Sequence, residues 1–230
     1  MRALLLLVLL VALAWLALQR GWIAIPDRYH PYAPLALDDP PNILTGFKIR
    51  RLAEDPDACA QVLAQSGLAA TPIADREGQD GCGWRNAVRI GAGSEPAVGD
   101  AFSLQCPVAV SLALWERHVL QPAARRHYDA PVTALEHFGS YACRNVYGRA
   151  SGRRSEHARA NAFDLAGLRL ENGRRITVAR DWDGDGTDAA FLRELRDGAC
   201  GLFNGVLSPD YNAAHHDHFH FDRGPYRICR

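Results

Sequence analysis

The pattern of apolar and polar positions changes character several times along the chain. After Met1-Arg2 comes an unbroken apolar run, Ala3 to Leu18, and after Gln19-Arg20 a second apolar stretch from Gly21 to Ile25. A charged start followed by an apolar run is a targeting signal, so residues 1–25 read as a signal anchor or a signal peptide. Ala12-Leu13-Ala14 lies inside the run and is a poor cleavage site, which favours an uncleaved anchor. Arg20 can snorkel toward headgroups, and Trp15 and Trp22 suit a membrane interface. Residues 26–52 open with Pro26, Pro31, Pro34, Pro40 and Pro41. Proline fixes the backbone and removes donors, so this stretch reads as an extended tether.

Residues 53–230 carry the periodicities of a folded domain. Asp55-Pro56 has the form of an N-cap followed by proline in the first turn, opening a helix that stops near Gly67. Cys106-Pro107 opens a second helix, with Val108, Leu112, Trp115 and Val119 on one face and Pro122 ending or kinking it. Val132 to Cys143 reads as a strand. Phe163–Leu170 and Arg175–Trp182 flank Asn172-Gly173, a tight-turn pair, and read as a hairpin. Asp188–Asp197 reads as a helix, and short strands flank Val206 and Phe219. Helices first and strands later predict an α+β fold.

Composition sharpens the compartment. The 230 residues hold 26 basic and 26 acidic side chains, so the net charge is zero and bulk attraction to nucleic acid is excluded. At 48% hydrophobic and 23% charged the chain is not disordered. All six cysteines (59, 82, 106, 143, 200 and 229) lie beyond the targeting segment. An even number in an exported chain favours up to three disulfides. Cys59 and Cys82, nearest in sequence, are the expected local bridge. No Cys-x-x-Cys occurs, which disfavours a cysteine zinc site.

The chemistry concentrates in Ser155-Glu156-His157-Ala158-Arg159-Ala160-Asn161-Ala162-Phe163-Asp164 and in His215-His216-Asp217-His218-Phe219-His220. Strand alternation puts Asp164 on one face of its strand, and His218 and His220 together on one face of theirs. Adjacent strands would aim Asp164 and His220 at one point, with His157 arriving from the preceding loop. Two imidazoles and a carboxylate form a catalytic zinc set with one open position. A second carboxylate, Asp217, is the candidate general base. If His218 were the ligand instead of His220, His215 would stand at the base position. Ser155 reads as a loop-fixing hydrogen-bond partner and Glu156 as a solvated face. Asp181-Trp182-Asp183-Gly184-Asp185-Gly186 imitates the start of a calcium loop, but Leu192 stands where the twelfth position needs glutamate.

These segments resemble the zinc peptidases of the D-alanyl-D-alanine peptidase group, whose fold also occurs in the hedgehog signalling domain. The matching residues are Ser155, His157, Asp164 and Asp217-His218-Phe219-His220. The resemblance implies zinc held by His157, Asp164 and His220, with Asp217 as base and His218 as auxiliary histidine. An arginine ahead of His157 would hold substrate: Arg144 first, with Arg149 and Arg153 as rivals. Where that group usually has glycine this chain has Ala160. A closer resemblance, over about residues 55 to 230, is to the bacterial extensin-like C-terminal family. It is carried by Gly139-Ser140-Tyr141-Ala142-Cys143-Arg144, Ser155-Glu156-His157, Asn161-Ala162-Phe163-Asp164 and His218-Phe219-His220-Phe221-Asp222.

By resemblance, the expected protein has a hedgehog/DD-peptidase-like α+β fold, with the metal-binding part at about residues 103–230. It is an envelope enzyme, anchored in the inner membrane and facing the periplasm, or secreted if the signal is cleaved. The expected activity is zinc-dependent hydrolysis of peptide bonds, peptidoglycan being the substrate class. The alternative is a non-catalytic cell-wall-binding module on the same fold.

Overall fold

The computed structural model describes residues 1–22 and 24–230; Ile23, within the second apolar stretch, lies outside them. Helix α1 (Arg2–Gln19) takes up the apolar run. At 1.5 Å per residue its 18 residues reach about 27 Å, short of a bilayer core of about 30 Å. Among the described residues no helix is long and apolar enough to cross a membrane, so the expected membrane-spanning anchor is not found.

The expected tether is corrected more strongly. Helix α2 (Thr45–Arg51) forms inside it, and Leu35, Leu37, Ile49 and Leu52 join the main core. Lys48, the sole lysine of the chain, is buried and donates from Nζ to the carbonyls of Asp27 (2.7 Å) and Pro34 (3.4 Å). An ammonium taken out of water needs such acceptors, so it pins the proline-rich strap to α2. Arg117 pairs with Asp38, and the Leu37 carbonyl accepts from His118 Nε2 at 2.7 Å.

Helix α3 (Pro56–Leu63) begins as expected, with Asp55 Oδ1 accepting from the Ala58 N–H at 3.0 Å, and it ends before Gly67. Strands β1 (Ala70–Ile73), β4 (Ala87–Ile90) and β5 (Phe102–Gln105) form an antiparallel sheet in the order β1-β4-β5. The small hairpin β2 (Arg76–Glu77) and β3 (Gly83–Trp84) stands apart. Helix α4 (Cys106–Trp115) is apolar on every side rather than on one face, and all ten of its residues are buried. It packs against α2, α3, β4 and β5. Trp115 is fully enclosed, and its Nε1–H donates to the Leu195 carbonyl at 3.0 Å. Burying each such large side chain contributes on the order of 2–3 kcal/mol.

Pro122 does not end this helix. A π-helical turn, Glu116–Leu120, widens the backbone just ahead of it, and α5 (Gln121–Tyr128) continues with proline in its first turn. The wider turn absorbs the missing N–H and the ring clash that proline brings.

The second sheet carries the site. Its order is β11-β9-β10-β7-β6, with β8 also paired to β7. The strands are β6 (Val132–Gly139), β7 (Ala162–Leu170), β8 (Arg175–Thr177), β9 (Gly205–Leu207), β10 (Phe219–Asp222) and β11 (Ile228–Cys229). All pairings are antiparallel except β11 on β9. Strand β6 ends at Gly139, whose φ of 97° suits glycine, four residues before the expected end. The hairpin through Asn172-Gly173 forms, but its second strand stops at Thr177. There Asp181 Oδ2 accepts the Thr177 N–H at 2.8 Å and starts the helical turn α6 (Val178–Asp181). Helix α7 (Thr187–Ala199) buries Phe191, Leu192 and Leu195 as expected.

The disulfides are Cys59–Cys106, Cys82–Cys143 and Cys200–Cys229. The expected Cys59–Cys82 bridge does not form. Cys59 faces the first turn of α4 inside the core, while Cys82, ahead of β3, lies over the loop that follows β6. In the acidic turn, Arg193 donates to the carbonyls of Trp182 and Gly184, and Asp181 pairs with Arg180. Asp181, which a calcium loop would offer to its ion from the first position, is thus held by a guanidinium instead.

Candidate metal centre

His220 on β10 and Asp164 on β7 are direct cross-strand partners. Directly opposite residues of an antiparallel pair place their side chains side by side on one face. His157 comes from the short helical turn Glu156–Arg159 that leads into β7. Ser155 caps this turn, its Oγ lying 3.4 Å from the His157 N–H. The turn ends at Ala160, whose φ of +52° is a left-handed conformation in which glycine is at ease and alanine is strained. Burial and the bond from the Gln105 N–H to the Ala160 carbonyl (2.8 Å) hold it there. This is the position where the sequence departs from the peptidase pattern, and the turn forms regardless.

His157 Nε2 lies 3.1 Å from Asp164 Oδ2 and 3.1 Å from His220 Nδ1, and His220 Nδ1 lies 3.0 Å from Asp164 Oδ1. All three side chains are buried, and they form a group that could hold a metal ion. The far nitrogens decide what the near ones can be. His157 Nδ1 faces the Ser140 carbonyl at 3.1 Å, which can only accept, so Nδ1 carries the proton. His220 Nε2 faces Asp222 Oδ2 at 2.9 Å, so it too is the N–H. Each neutral imidazole therefore points a bare lone pair at the other and at the Asp164 carboxylate. Three acceptors meeting without a donor repel one another unless a cation or a proton sits among them.

The titration behaviour follows. Burial disfavours a charged His220, yet hydrogen bonds to Asp164 and Asp222 more than offset this and push the imidazole up to about 9. Burial also opposes ionisation of Asp164, but the close approach of His157 and His220 holds its carboxyl far below the usual range. The metal-free site is thus a carboxylate clasping an imidazolium, and a divalent cation would replace that proton.

Asp222 and Ser140 orient the two candidate ligand histidines, a task that outer-sphere carboxylates and carbonyls perform at zinc sites. Neither was singled out for such a role from the sequence, although Asp222 lies two residues after His220 and so on the same strand face. Asp222 is itself fixed: Oδ1 accepts the Gly224 N–H at 2.7 Å, and Oδ2 lies against Gly205, where any Cβ would collide with it.

The three ligand candidates open onto a cavity of about 500 Å³. His218 lines it, with Nε2 3.6 Å from Asp164 Oδ1 and its Nδ1–H donated to Asp217 Oδ1 at 2.8 Å. Asp217, the expected base, does not line this cavity and stands behind His218. His215 does line it; burial, then the charges of His220 and His218, press its pKa down to about 4. Arg144 and its rival Arg153 are on the wall, joined by Arg227, while Arg149 is not. The Arg144 carbonyl accepts the Ser155 N–H at 3.1 Å, and the neighbouring Cys82–Cys143 bridge staples this loop to the β2–β3 hairpin. Glu156 is not a solvated face: it accepts from Asn161 Nδ2 at 2.7 Å and borders the cavity.

Fold and site together define a disulfide-stapled α+β protein with a buried group of two histidines and one carboxylate that could hold a metal, beside a cavity lined by arginines, histidines and carboxylates. Residues 57–230 match the model of the family described as Extensin-like protein C-terminus, and the chain belongs to that family. No curated protein and no solved structure matches it.

Proposed function

We propose that the chain is a zinc-dependent hydrolase of the cell envelope, acting on peptide bonds of peptidoglycan, on a hedgehog/DD-peptidase type of fold. The observation that carries this is the convergence of His157 Nε2, His220 Nδ1 and Asp164 beside an open cavity, with the far nitrogen of each imidazole engaged by an acceptor. Two imidazoles and one carboxylate are the donor set of catalytic zinc, which leaves a position for water or substrate. Bound zinc supplies Lewis-acid polarisation of a carbonyl and lowers the pKa of a ligated water toward neutrality.

The remaining work falls to side chains. His218 takes a proton at Nε2, and Asp217 holds its Nδ1–H and stabilises the resulting imidazolium. The role expected of Asp217 alone is thus shared by a pair. Arg144 is exposed and has no acidic partner among the described residues, so its fork is free to take a substrate carboxylate or carbonyl. Three disulfides fit an oxidising compartment, and α1 serves as the targeting signal.

The test is zinc content together with digestion of purified wall fragments, followed by mass spectrometry. The native protein should release new products in a zinc-dependent way, and His157→Ala should release none. Full activity of His157→Ala would refute the reading. A wall-binding module is the second reading, favoured by the withdrawal of Asp217 from the cavity wall; it predicts retention on wall material with no product.

A further inference from the structure

The Asp217–His218 pair is a divide between two concavities. His218 lines the arginine-bearing cavity, whereas Asp217 lines a second one of about 460 Å³ with Phe138, Ala166 and Ala179. The two are neighbours along β7, since Asp164 borders the first and Ala166, two residues on, borders the second. Phe138, on the second, reaches toward the first: its ring centroid lies 5.6 Å from that of His218, edge-on, yet the residue is 61% exposed. A large apolar ring left in solvent beside a candidate reaction centre and on the wall of a concavity can serve as a platform for a ligand.

The two sides differ in charge. Arg144, Arg153 and Arg227 on the first have no carboxylate partner among the described residues. On the second, Glu136 is neutralised by Arg175 at 2.6 Å and Arg169 at 3.4 Å. The carboxylates that share these walls are engaged by neighbours, Glu156 by Asn161, Asp164 and Asp222 by His220, and Asp217 by His218, so the first side offers free guanidinium groups to an anionic arm and the second suits an uncharged, partly apolar one.

We infer that substrate lies across the Asp217–His218 pair, with a carboxylate-bearing arm among the arginines and a second arm on Phe138. This rests on the hydrolase reading and deepens it. The bond cut is then internal to a branched or cross-linked peptide, not the last bond of a free chain. Water adds across that amide, its oxygen going to the acyl carbon and a proton to the leaving nitrogen.

The test uses the full chain loaded with zinc and two probes, a cross-linked muropeptide dimer and its uncross-linked monomer. Calorimetry should show the dimer bound up to about tenfold more tightly, the scale of one well-placed aromatic contact. Ala179→Trp, at an exposed position on the wall of the second cavity, should bring the dimer-to-monomer ratio close to one, and Phe138→Ala should lower it. Equal binding of the two probes by the native chain, or an unchanged ratio in Ala179→Trp, overturns the inference. If the dimer preference and its loss appear with no cleavage of either probe, the two-armed site stands and the hydrolase reading falls. Removal of a terminal residue from the monomer as fast as the dimer is cut sinks the internal-bond assignment.

Discussion

Replacing Asp222 by asparagine isolates the orientation of one ligand. Both oxygens of Asp222 are committed, Oδ1 to the Gly224 N–H and Oδ2 to His220 Nε2–H, and the side chain is only 14% exposed. Asparagine offers one acceptor and one donor to two groups that both donate. If its oxygen keeps Gly224, its amide N–H meets the Nε2–H of His220 and drives the proton to Nδ1, the atom that should ligate. If its oxygen keeps His220, the Gly224 N–H loses its acceptor and β10 shifts. Losses of this kind at zinc sites run to about 10–100-fold in affinity, or about 1.4–2.7 kcal/mol. Chelator competition at fixed pH would measure the zinc dissociation constant, and ¹⁵N spectra of the imidazoles would report the tautomer. Zinc affinity within twofold of native, with His220 still protonated at Nε2, would refute the orienting role.

Gly205→Ala should reproduce much of that loss without touching a polar group, because its Cβ would occupy the place of Asp222 Oδ2; an unaltered dissociation constant would count against it. In the metal-free protein His220 is pushed up to about 9, above its ordinary 6.5. Its charged form therefore stabilises the fold fully below about pH 6.5, and that contribution is lost as pH rises toward 9, which thermal melts without metal should show. Zinc competes with the same proton, so its affinity should climb by up to about tenfold per pH unit across that window. Removing both sulfurs of Cys200–Cys229, 29 residues apart, should lower stability by about 3–4 kcal/mol in guanidinium melts.

The candidate site was legible because its ligands come from short local patterns. His157 and Asp164 belong to one turn-and-strand unit, and alternation along β10 fixes which face His220 shares. What alternation cannot give is the position of a residue just outside the strand. His218 precedes β10, so Asp217 falls behind it and meets its ring instead of the cavity. Asp222 escaped because its role exists only once His220 has a partner on one nitrogen. The disulfides were illegible for a related reason: each joins elements at least 29 residues apart, and proximity in sequence suggested the wrong pair. The proline-rich strap misled because its prolines spoke for extension. Leu35, Leu37 and Ile49, spaced too irregularly for one period, find their place only against α4.

The most direct test of the metal centre is the stoichiometry and coordination of zinc in the full chain, by titration and X-ray absorption. One zinc per chain should bind, with two imidazole nitrogens and a carboxylate oxygen at about 2.0–2.2 Å, and both His157→Ala and His220→Ala should lose it. A chain that binds no zinc at micromolar concentration, or binds it equally well without those histidines, would contradict the account.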